Sequence, residues 1–465
     1  MGWPGFALAQ SDDTVITKQY DDGSVYEGTF QDGRQHGTGT YRLPNGYEYT
    51  GNWVEGEIRG LGIARFPNGS LFEGSFAAGK PEGKGKITFS DGGTYEGDWA
   101  DGQMTGQGTA HYADGSVYTG SFLRALHHGE GRLDSPGGIS YAGTWVNGIK
   151  DGQARMTYPD GSAYEGGFVA GKRAGQGKLT LPDGLSYVGA WSDGQINGIG
   201  TLMQPNGDRY DGTLVNGMRQ GKGRIVYAGG DTYEGEFVND KRHGEGSFRA
   251  ADGYAYDGTW AQGRMEGVGK LTYPDGSAYQ GTFKANQPEG PGRITYPDGA
   301  TYDGMWQAGM IMGKGRATYT GGITYEGEFR NARPNGEGVM VYPDGYRYGG
   351  AWQDGQRHGP GIATYPDGTA YSGQFVKGLR DGDGEITMLD GFKYTGQWKA
   401  GEIDGKGIAT YANGDIYDGM FAKGKRQGQG VMHYTGGQKT AGEWRNGILI
   451  GPEKSTPAAP DPTQP

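Results

Sequence analysis

Apolar and polar positions alternate along this chain in short runs, and the runs return every 23 residues. In residues 24–46, Tyr26, Gly28 and Phe30 sit at i, i+2 and i+4, with Glu27 and Thr29 between them. In a strand those three residues share one face. A second alternating series follows at Gly37, Gly39, Tyr41 and Leu43. The column headed by Tyr41 is apolar in every copy, through Ala64, Ile87, Ala110 and onward to Met432, whereas the column headed by Arg42 is mostly Thr, Arg or His. This is the period-two pattern of a half-buried antiparallel strand. No stretch carries a helical period.

Two turns join the strands. Pro44-Asn45-Gly46 recurs as Pro-Asp-Gly at 159–161, 182–184, 274–276, 297–299, 343–345 and 366–368. Proline presets the first turn torsion, Asp or Asn accepts local hydrogen bonds, and glycine tolerates positive φ. The other connection, Gln31 to His36, reads as a longer hairpin loop around Gly33. Each repeat is then one β-hairpin. The predicted fold is all-β: an elongated single-sheet antiparallel meander of tandem β-hairpins, strongly twisted or curved because glycine is so dense. About thirty-six strands at roughly 4.8 Å each would run ~170 Å. The array spans residues 24–451, between an N-terminal segment (1–23) and a Pro/Ala-rich tail (452–465).

Composition sharpens this picture in a few places. The 98 glycines coexist with 32 Tyr, 15 Phe and 10 Trp, so they are positional rather than a sign of disorder. A net charge of −11 argues against nucleic acid as a partner. There is no cysteine, hence no disulfide, thiolate metal site or thiol nucleophile. No run reaches the ~20 apolar residues that span a bilayer. Ala7-Leu8-Ala9 followed by Ser11-Asp12-Asp13 resembles a signal-peptide cleavage site, which predicts an exported, periplasmic or membrane-associated protein, with a cytoplasmic location as the alternative.

The motif Tyr-x-Gly-x-Phe/Trp-x-x-Gly-x-x-x-Gly-x-Gly, followed by Asp/Asn-Gly, resembles the MORN (membrane occupation and recognition nexus) repeat. The resemblance covers residues 24–451, with a degraded final copy in which Thr440 replaces the tyrosine. It implies a stack of 23-residue hairpins without a reaction of its own. Such arrays are associated with membrane binding, dimerisation and scaffolding. The kinase domain of the plant phosphoinositide kinases that carry these repeats has no counterpart in this chain.

A second-order pattern overlies the repeat. The second aromatic column reads Phe30, Trp53, Phe76, Trp99, Phe122, Trp145, Phe168, Trp191, slips at Leu214, and resumes as Phe237, Trp260 through to Trp444. Phe repeats often carry a basic or Pro-containing loop, whereas Trp repeats usually carry an apolar one (Ile58, Met104, Ile196, Met265, Ile311, Ile403, Leu449) that Lys150 and Arg357 interrupt. Like tips would recur roughly every 19 Å along one edge. Such an edge suits an extended partner. Equally, the alternation records gene duplication, with Phe and Trp interleaving in a core.

The candidate interaction residues follow from these columns. The aromatic face comprises Tyr26, Phe30, Tyr49, Trp53, Tyr95, Trp99, Tyr141, Trp145, Tyr187 and Trp191, then Trp260, Trp306, Trp352, Trp398 and Trp444. It serves either packing or interaction. Lys172, Arg173, Lys241, Arg242, Lys425 and Arg426 are candidate basic tips for phospholipid headgroups. His36, His128, His243 and His358 share one repeat position and lie too far apart for a single metal site. Asp381-Gly382-Asp383-Gly384-Glu385 mimics part of a calcium loop but lacks the remaining ligands at EF-hand spacing. Gly83-Lys84-Gly85 lacks the following helix of a phosphate loop. The recurrent Glu27, Glu73, Glu96, Glu165, Glu234 and Glu326 read as a solvated face, since a catalytic carboxylate pair is singular. No cofactor, metal, catalytic residue or small-molecule substrate is expected. The leading expectation is a non-enzymatic scaffold that self-associates, through open sheet ends among other surfaces, and binds protein or envelope partners. Membrane-lipid binding through the basic tips and carbohydrate or cell-wall binding through exposed aromatics are the alternatives.

Overall fold

A computed structural model describes residues 14–452. Among these there are 39 strands and no helix. They fall into two compact units, one ending at Ala228 and the other beginning at Gly229. Within each unit every strand pairs antiparallel with the next in sequence, and neither meander closes into a barrel. Ala7-Leu8-Ala9 and the tail beyond Pro452 lie outside the described residues.

The first full repeat shows the design. β1 (Ile16–Gln19) precedes β2 (Val25–Gln31), β3 (Arg34–Arg42), β4 (Glu48–Val54) and β5 (Glu57–Arg65). Strands of seven and nine residues alternate from β2 onward, up to a final strand of five, Ile448–Pro452. The Pro-Asn-Gly connection is tight: Gly46 N–H donates to Leu43 O at 3.0 Å, and Tyr47 N–H donates to Asn45 Oδ1 at 3.0 Å. The other connection is shorter than the sequence implies. Gln31 pairs with Arg34, so the loop is only Asp32-Gly33, with φ values of 50° and 79°. Two consecutive positive φ angles define the mirror-image turn whose twist suits a hairpin. The residues from Arg34 to His36 are therefore strand, not loop.

The two extra residues of the longer strand are absorbed in a bulge. Gly28 opposes Gly39, but Phe30 opposes Gln35, and Gly37 takes φ 75° between them. This explains the glycine at position 37 of the repeat. Gly28 and Gly39 have another cause. A Cβ on Gly28 would lie 2.6 Å from Gly39 Cα and 2.6 Å from Tyr26 Cζ. The Tyr26 ring thus lies flat across a cross-strand glycine pair, and its hydroxyl donates to Thr29 O at 3.0 Å. Away from Leu214, the first-column tyrosines also touch the second-column aromatic of their own repeat and of the next: Tyr26 meets Phe30 and Trp53, both with centroids 5.1 Å apart. A single sheet thereby buries its aromatics against its own bare backbone.

Candidate interaction surface

The predicted aromatic face is core. Tyr26, Tyr49, Tyr95, Tyr141 and Tyr187 are at most 1 % exposed, and burial pushes the Tyr26, Tyr49 and Tyr95 hydroxyls up to about 12. Trp53, Trp99, Trp145, Trp191, Trp260, Trp306, Trp352, Trp398 and Trp444 are 4–7 % exposed. Each of these indoles donates its N–H to the carbonyl of a glycine in the preceding repeat. Trp99 reaches Gly85 O at 3.1 Å, and Trp444 reaches Gly430 O at 3.2 Å. Phe30 is half-buried against Tyr26. Satisfied indoles and covered ring faces leave these columns to hold repeats together rather than to stack on a ligand.

The basic pairs separate into two roles. Lys172, Lys241 and Lys425 begin strands on the exposed side. Lys172 meets Asp193 at 3.3 Å, and Lys241 meets Gln262 at 3.1 Å. Arg173, Arg242 and Arg426 face inward, opposite Phe168, Phe237 and Phe421. The Arg173 guanidinium stands 4.8 Å from the Tyr164 centroid and 5.1 Å from that of Trp191 in the next repeat. Arg242 lies 4.8 Å from Trp260, and Arg426 lies 4.2 Å from Trp444. In Phe repeats this position holds Arg, Pro, His or Gln (Pro81, His127 and Gln35 besides the arginines); in Trp repeats it is mostly Ile or Met. The Phe/Trp alternation is thus matched by a packing rule. Where a Phe repeat carries Arg there, as at Arg173, Arg242, Arg380 and Arg426, its guanidinium meets the tryptophan of the following repeat, a cation–π contact. His127 obeys the rule with an imidazole stacked on Tyr118 at 3.6 Å and 12°, and burial pushes it down to about 4.

The remaining motifs take structural roles. His36 Nδ1 accepts from Glu55 N–H at 3.5 Å, and His128 Nδ1 accepts from Asn147 N–H at 3.4 Å. Asp381 of the calcium-like segment does the same for Ala400 N–H at 3.0 Å. This column ties one hairpin turn to the next. Among the described residues no group of three or more His, Cys, Asp or Glu side chains is placed to hold a metal.

The opposite face is solvated. Glu27, Thr40 and Thr50 follow one another across adjacent strands, and the row continues as Glu73, Lys86, Glu96 and, further on, Arg155, Glu165, Lys178. Arg155 and Glu165 stand 3.4 Å apart, and Lys84 and Asp98 stand 2.6 Å apart. Such exposed pairs are worth ~0–1 kcal/mol each. Shallow open grooves floored by glycine backbone run between the rows, one beside Glu130, Arg132 and Gln153.

Two surfaces escaped the sequence reading. One is an apolar strip beside the two-residue turns: Leu123 pairs with Leu126 and Val146 with Ile149, followed by Val169, all 40–60 % exposed. Its signal was apolar residues at positions that other repeats fill with Gln, Lys or Arg. The other is a row of tyrosines just before the turns, including Tyr273, Tyr296, Tyr342 and Tyr365 before Pro-Asp-Gly and Tyr319 before Thr320-Gly321-Gly322.

A family model described as MORN repeat matches eighteen segments of the chain, the first at residues 26–46 and the last at 417–439. Alsin of Rattus norvegicus is 38% identical over 58 residues, which is 11% of this chain and 4% of alsin. The chain therefore covers only a small part of that relative's length. Among solved structures, the TCP domain of SAS-4 from Drosophila Melanogaster aligns with a TM-score of 0.22 and 16% identity over 37% of this chain and 86% of that one. The TCP10 domain of CPAP from Danio rerio aligns with a TM-score of 0.15 and 14% identity over 58% of this chain and 93% of that one. Likeness at these scores carries no argument about function.

Proposed function

The chain belongs to the MORN repeat family, a non-catalytic repeat family, and on that premise we propose that it is a protein-binding scaffold that associates with further copies of itself. The observation that carries this reading is the exposed apolar strip Leu123, Leu126, Val146, Ile149 and Val169. Contiguous apolar surface on a soluble sheet is costly unless a partner covers it. The face beside the strip carries exposed ion pairs such as Arg132–Asp134 and Arg155–Glu165, and exposed charges contribute little to association, so the free energy available is mainly apolar.

Light scattering across about 1–100 μM tests the reading. The wild-type chain is expected to show concentration-dependent mass, and Leu126→Lys with Ile149→Lys to shift the curve toward monomer. A strict monomer throughout, or an unchanged curve in the double variant, defeats it. Phospholipid binding is the weaker reading, because three of the six basic candidates face the aromatic core. Co-sedimentation with anionic vesicles at low salt, where electrostatic attraction is strongest, separates the two. Pelleting that Lys172→Gln and Lys241→Gln abolish would favour lipid.

A further inference from the structure

The first and last strands of the described chain are fragments of one strand type. Inside the array the strand between two seven-residue strands has nine residues, as in β3 (Arg34–Arg42). In the terminal strand Ile448–Pro452, Ile448 stands at the repeat position of Arg34, and only the first five positions are present. In β1 (Ile16–Gln19), Gln19 stands at the position of Arg42, and only the last four are present. We propose that these ends complete each other between copies: the terminal strand of one copy and β1 of the next together fill one nine-residue strand, so that copies join head to tail in the array's own register. The inference deepens the scaffold reading, on which it rests, by naming what the open ends bind.

Each fragment leaves part of its neighbour open. β1 pairs with Val25 to Gly28, so among the described residues Thr29 and Phe30 have no strand partner on that side. The terminal strand pairs with Gly442 to Arg445, so Lys439, Thr440 and Ala441 have none on theirs. Inside the array one strand serves both stretches. β3 meets Val25, Tyr26 and Glu27 through Arg42, Tyr41 and Thr40, and meets Asn52 and Trp53 through Thr38 and Gly37. Across a junction, Thr17, Lys18 and Gln19 would meet Ala441, Thr440 and Lys439, and Gly451 would meet Phe30. Gly33 N–H and Leu449 O would add the turn bond that Gly56 N–H makes to Gln35 O at 2.9 Å.

The side chains at the two ends lack the cover that their counterparts have. Ile58, Met265 and Ile311 are 7–9 % exposed, whereas Leu449 at the same repeat position is 37 % exposed. Phe76 is buried and packs 4.9 Å from Tyr49 of the preceding repeat, whereas Phe30 is only half-buried. A residue at the Leu449 position reaches the second-column aromatic of the following repeat, as Arg173 reaches Trp191. Leu449 of one copy would therefore cover Phe30 of the next. The order of repeat types agrees: the array begins with a Phe repeat and ends with a Trp repeat, so the alternation passes through the junction in phase.

The departures from the repeat at the ends compensate in size. Tyr26 lies over Gly28 and Gly39. In the last repeat Thr440 replaces the tyrosine and is not fully buried, and in β1 Ile16 stands at the position of Gly39. One end has lost a ring and the other has gained a side chain. Ile16, 47 % exposed, would lie over Gly442 in the space that a tyrosine ring fills elsewhere. Pro452, which opposes Gly442 in the single chain, has no N–H to give to a ladder and yields that place. Lys18 stands where the other repeats are apolar, so the seam is weaker than an internal one and reversible. The contact is heterologous, and copies add until a ring closes or without limit.

The chain has no cysteine, so single thiols report the contact. Thr17→Cys and Ala441→Cys stand at positions that pair across strands inside the array, as Thr40 and Glu27 do, within reach of a disulfide. The two full-length variants are mixed under mild oxidation, and intact mass separates the mixed dimer from either homodimer. The mixed dimer is expected to exceed each homodimer about tenfold. Leu449→Glu in the Ala441→Cys chain, and Ile16→Gly in the Thr17→Cys chain, should each lower its yield about fivefold. Leu389→Glu, at a turn residue 83 % exposed, should leave the yield unchanged, and so should Leu126→Lys with Ile149→Lys.

Three results would overturn the proposal. One is an Ala441→Cys homodimer in excess of the mixed product, which would make the contact tail to tail. Another is thiols that resist alkylation yet form no disulfide, which would mean that residues 1–13 or 453–465 cover the edges. The third is a mixed yield unmoved by both Leu449→Glu and Ile16→Gly in folded protein. If no mixed dimer forms while light scattering still shows association that the strip variants disrupt, this proposal falls and the scaffold reading stands. If the mixed dimer forms and the strip variants leave light scattering unchanged, the strip falls and the ends remain.

Discussion

Arg426 and Trp444 belong to different repeats, yet the guanidinium stands 4.2 Å from the indole centroid and donates to Gly447 O at 2.7 Å. One side chain thus clamps both the ring and the turn of the next hairpin. Arg357 repeats the second contact, donating to Gly378 O at 2.6 Å. A desolvated cation–π pair is worth ~1–2 kcal/mol and a hydrogen bond from a charged donor ~1.5–3 kcal/mol. Arg426→Ala should therefore destabilise the last hairpins by about 2–4 kcal/mol locally, and Arg426→Lys should recover less than half. Hydrogen exchange of the strand Lys439–Arg445 reads this directly. Equal protection in wild type and Arg426→Ala would refute the clamp.

The two-residue turns hold several non-glycine residues at positive φ. Arg124-Ala125 and Asn331-Ala332 have no glycine at either turn position, and Ala332 sits at φ 60°. Ala332 N–H still donates to Ile311 O at 3.1 Å, as the turn glycines of other repeats do to theirs. A residue with a Cβ pays ~1–2 kcal/mol in the left-handed region. Ala332→Gly should raise stability by about 0.5–1 kcal/mol, partly offset by unfolded-state entropy. Ala400→Asn, at φ 47°, should gain a similar amount because asparagine tolerates this conformation. A lower melting temperature in both variants would count against the turn assignment.

Much of this architecture was legible in the sequence because both periods, 2 and 23, are written in side-chain chemistry. The Tyr26 and Tyr41 columns gave the buried face, and Pro44-Asn45-Gly46 gave one turn. The other turn was misread. Arg34, Gln35 and His36 look like loop residues because they are polar. Their polarity has different causes: position 35 offers a side chain to the aromatics of its own and the next repeat, and position 36 accepts from the next turn's N–H. For the same reason Arg173 and Arg242 read as exposed tips. Guanidinium is planar and stacks on aromatic faces, and a sequence does not reveal on which side of the sheet it lies. The tyrosine row was hidden by its neighbours, since a residue just before the turn tripeptide reads as part of the turn.

His127 is the imidazole member of a position that Arg173 fills two repeats later. It stacks on Tyr118, meets the Tyr112 hydroxyl at 2.5 Å, and is pushed down to about 4 by burial. An unfolded chain binds its imidazole proton near pH 6.5. Between pH 6.5 and pH 4 the unfolded state therefore holds a proton that the folded state refuses. The stabilising contribution is fully present above about pH 6.5 and is lost as the pH falls toward about 4. Wild type should lose more thermal stability than His127→Arg between pH 7 and pH 4.5, since arginine keeps one charge state throughout. Parallel melting curves for the two proteins would show that the stacked imidazole is not held neutral.

The glycine pair under each tyrosine makes the most stringent demand. A Cβ on Gly108 would lie 2.6 Å from Tyr95 Cζ, inside any real contact distance. One repeat departs from the rule: Ala154 stands where others have glycine, opposite Gly143. The site therefore admits one methyl group per pair when the tyrosine shifts, and the remaining partner must stay bare. This predicts an order. Ala154→Gly should change stability by less than about 1 kcal/mol, the cost of backbone freedom against relief of crowding. Gly108→Ala should cost about 1–3 kcal/mol through overpacking. Gly143→Ala should cost the most, because its methyl would meet that of Ala154 across the strands. Thermal melts with hydrogen exchange of the strands Gln103–His111 and Ile149–Thr157 rank the three. If Gly143→Ala were as mild as Ala154→Gly, the aromatic ring would not be resting on the glycine pair, and the account of how one sheet buries its own aromatics would fail with it.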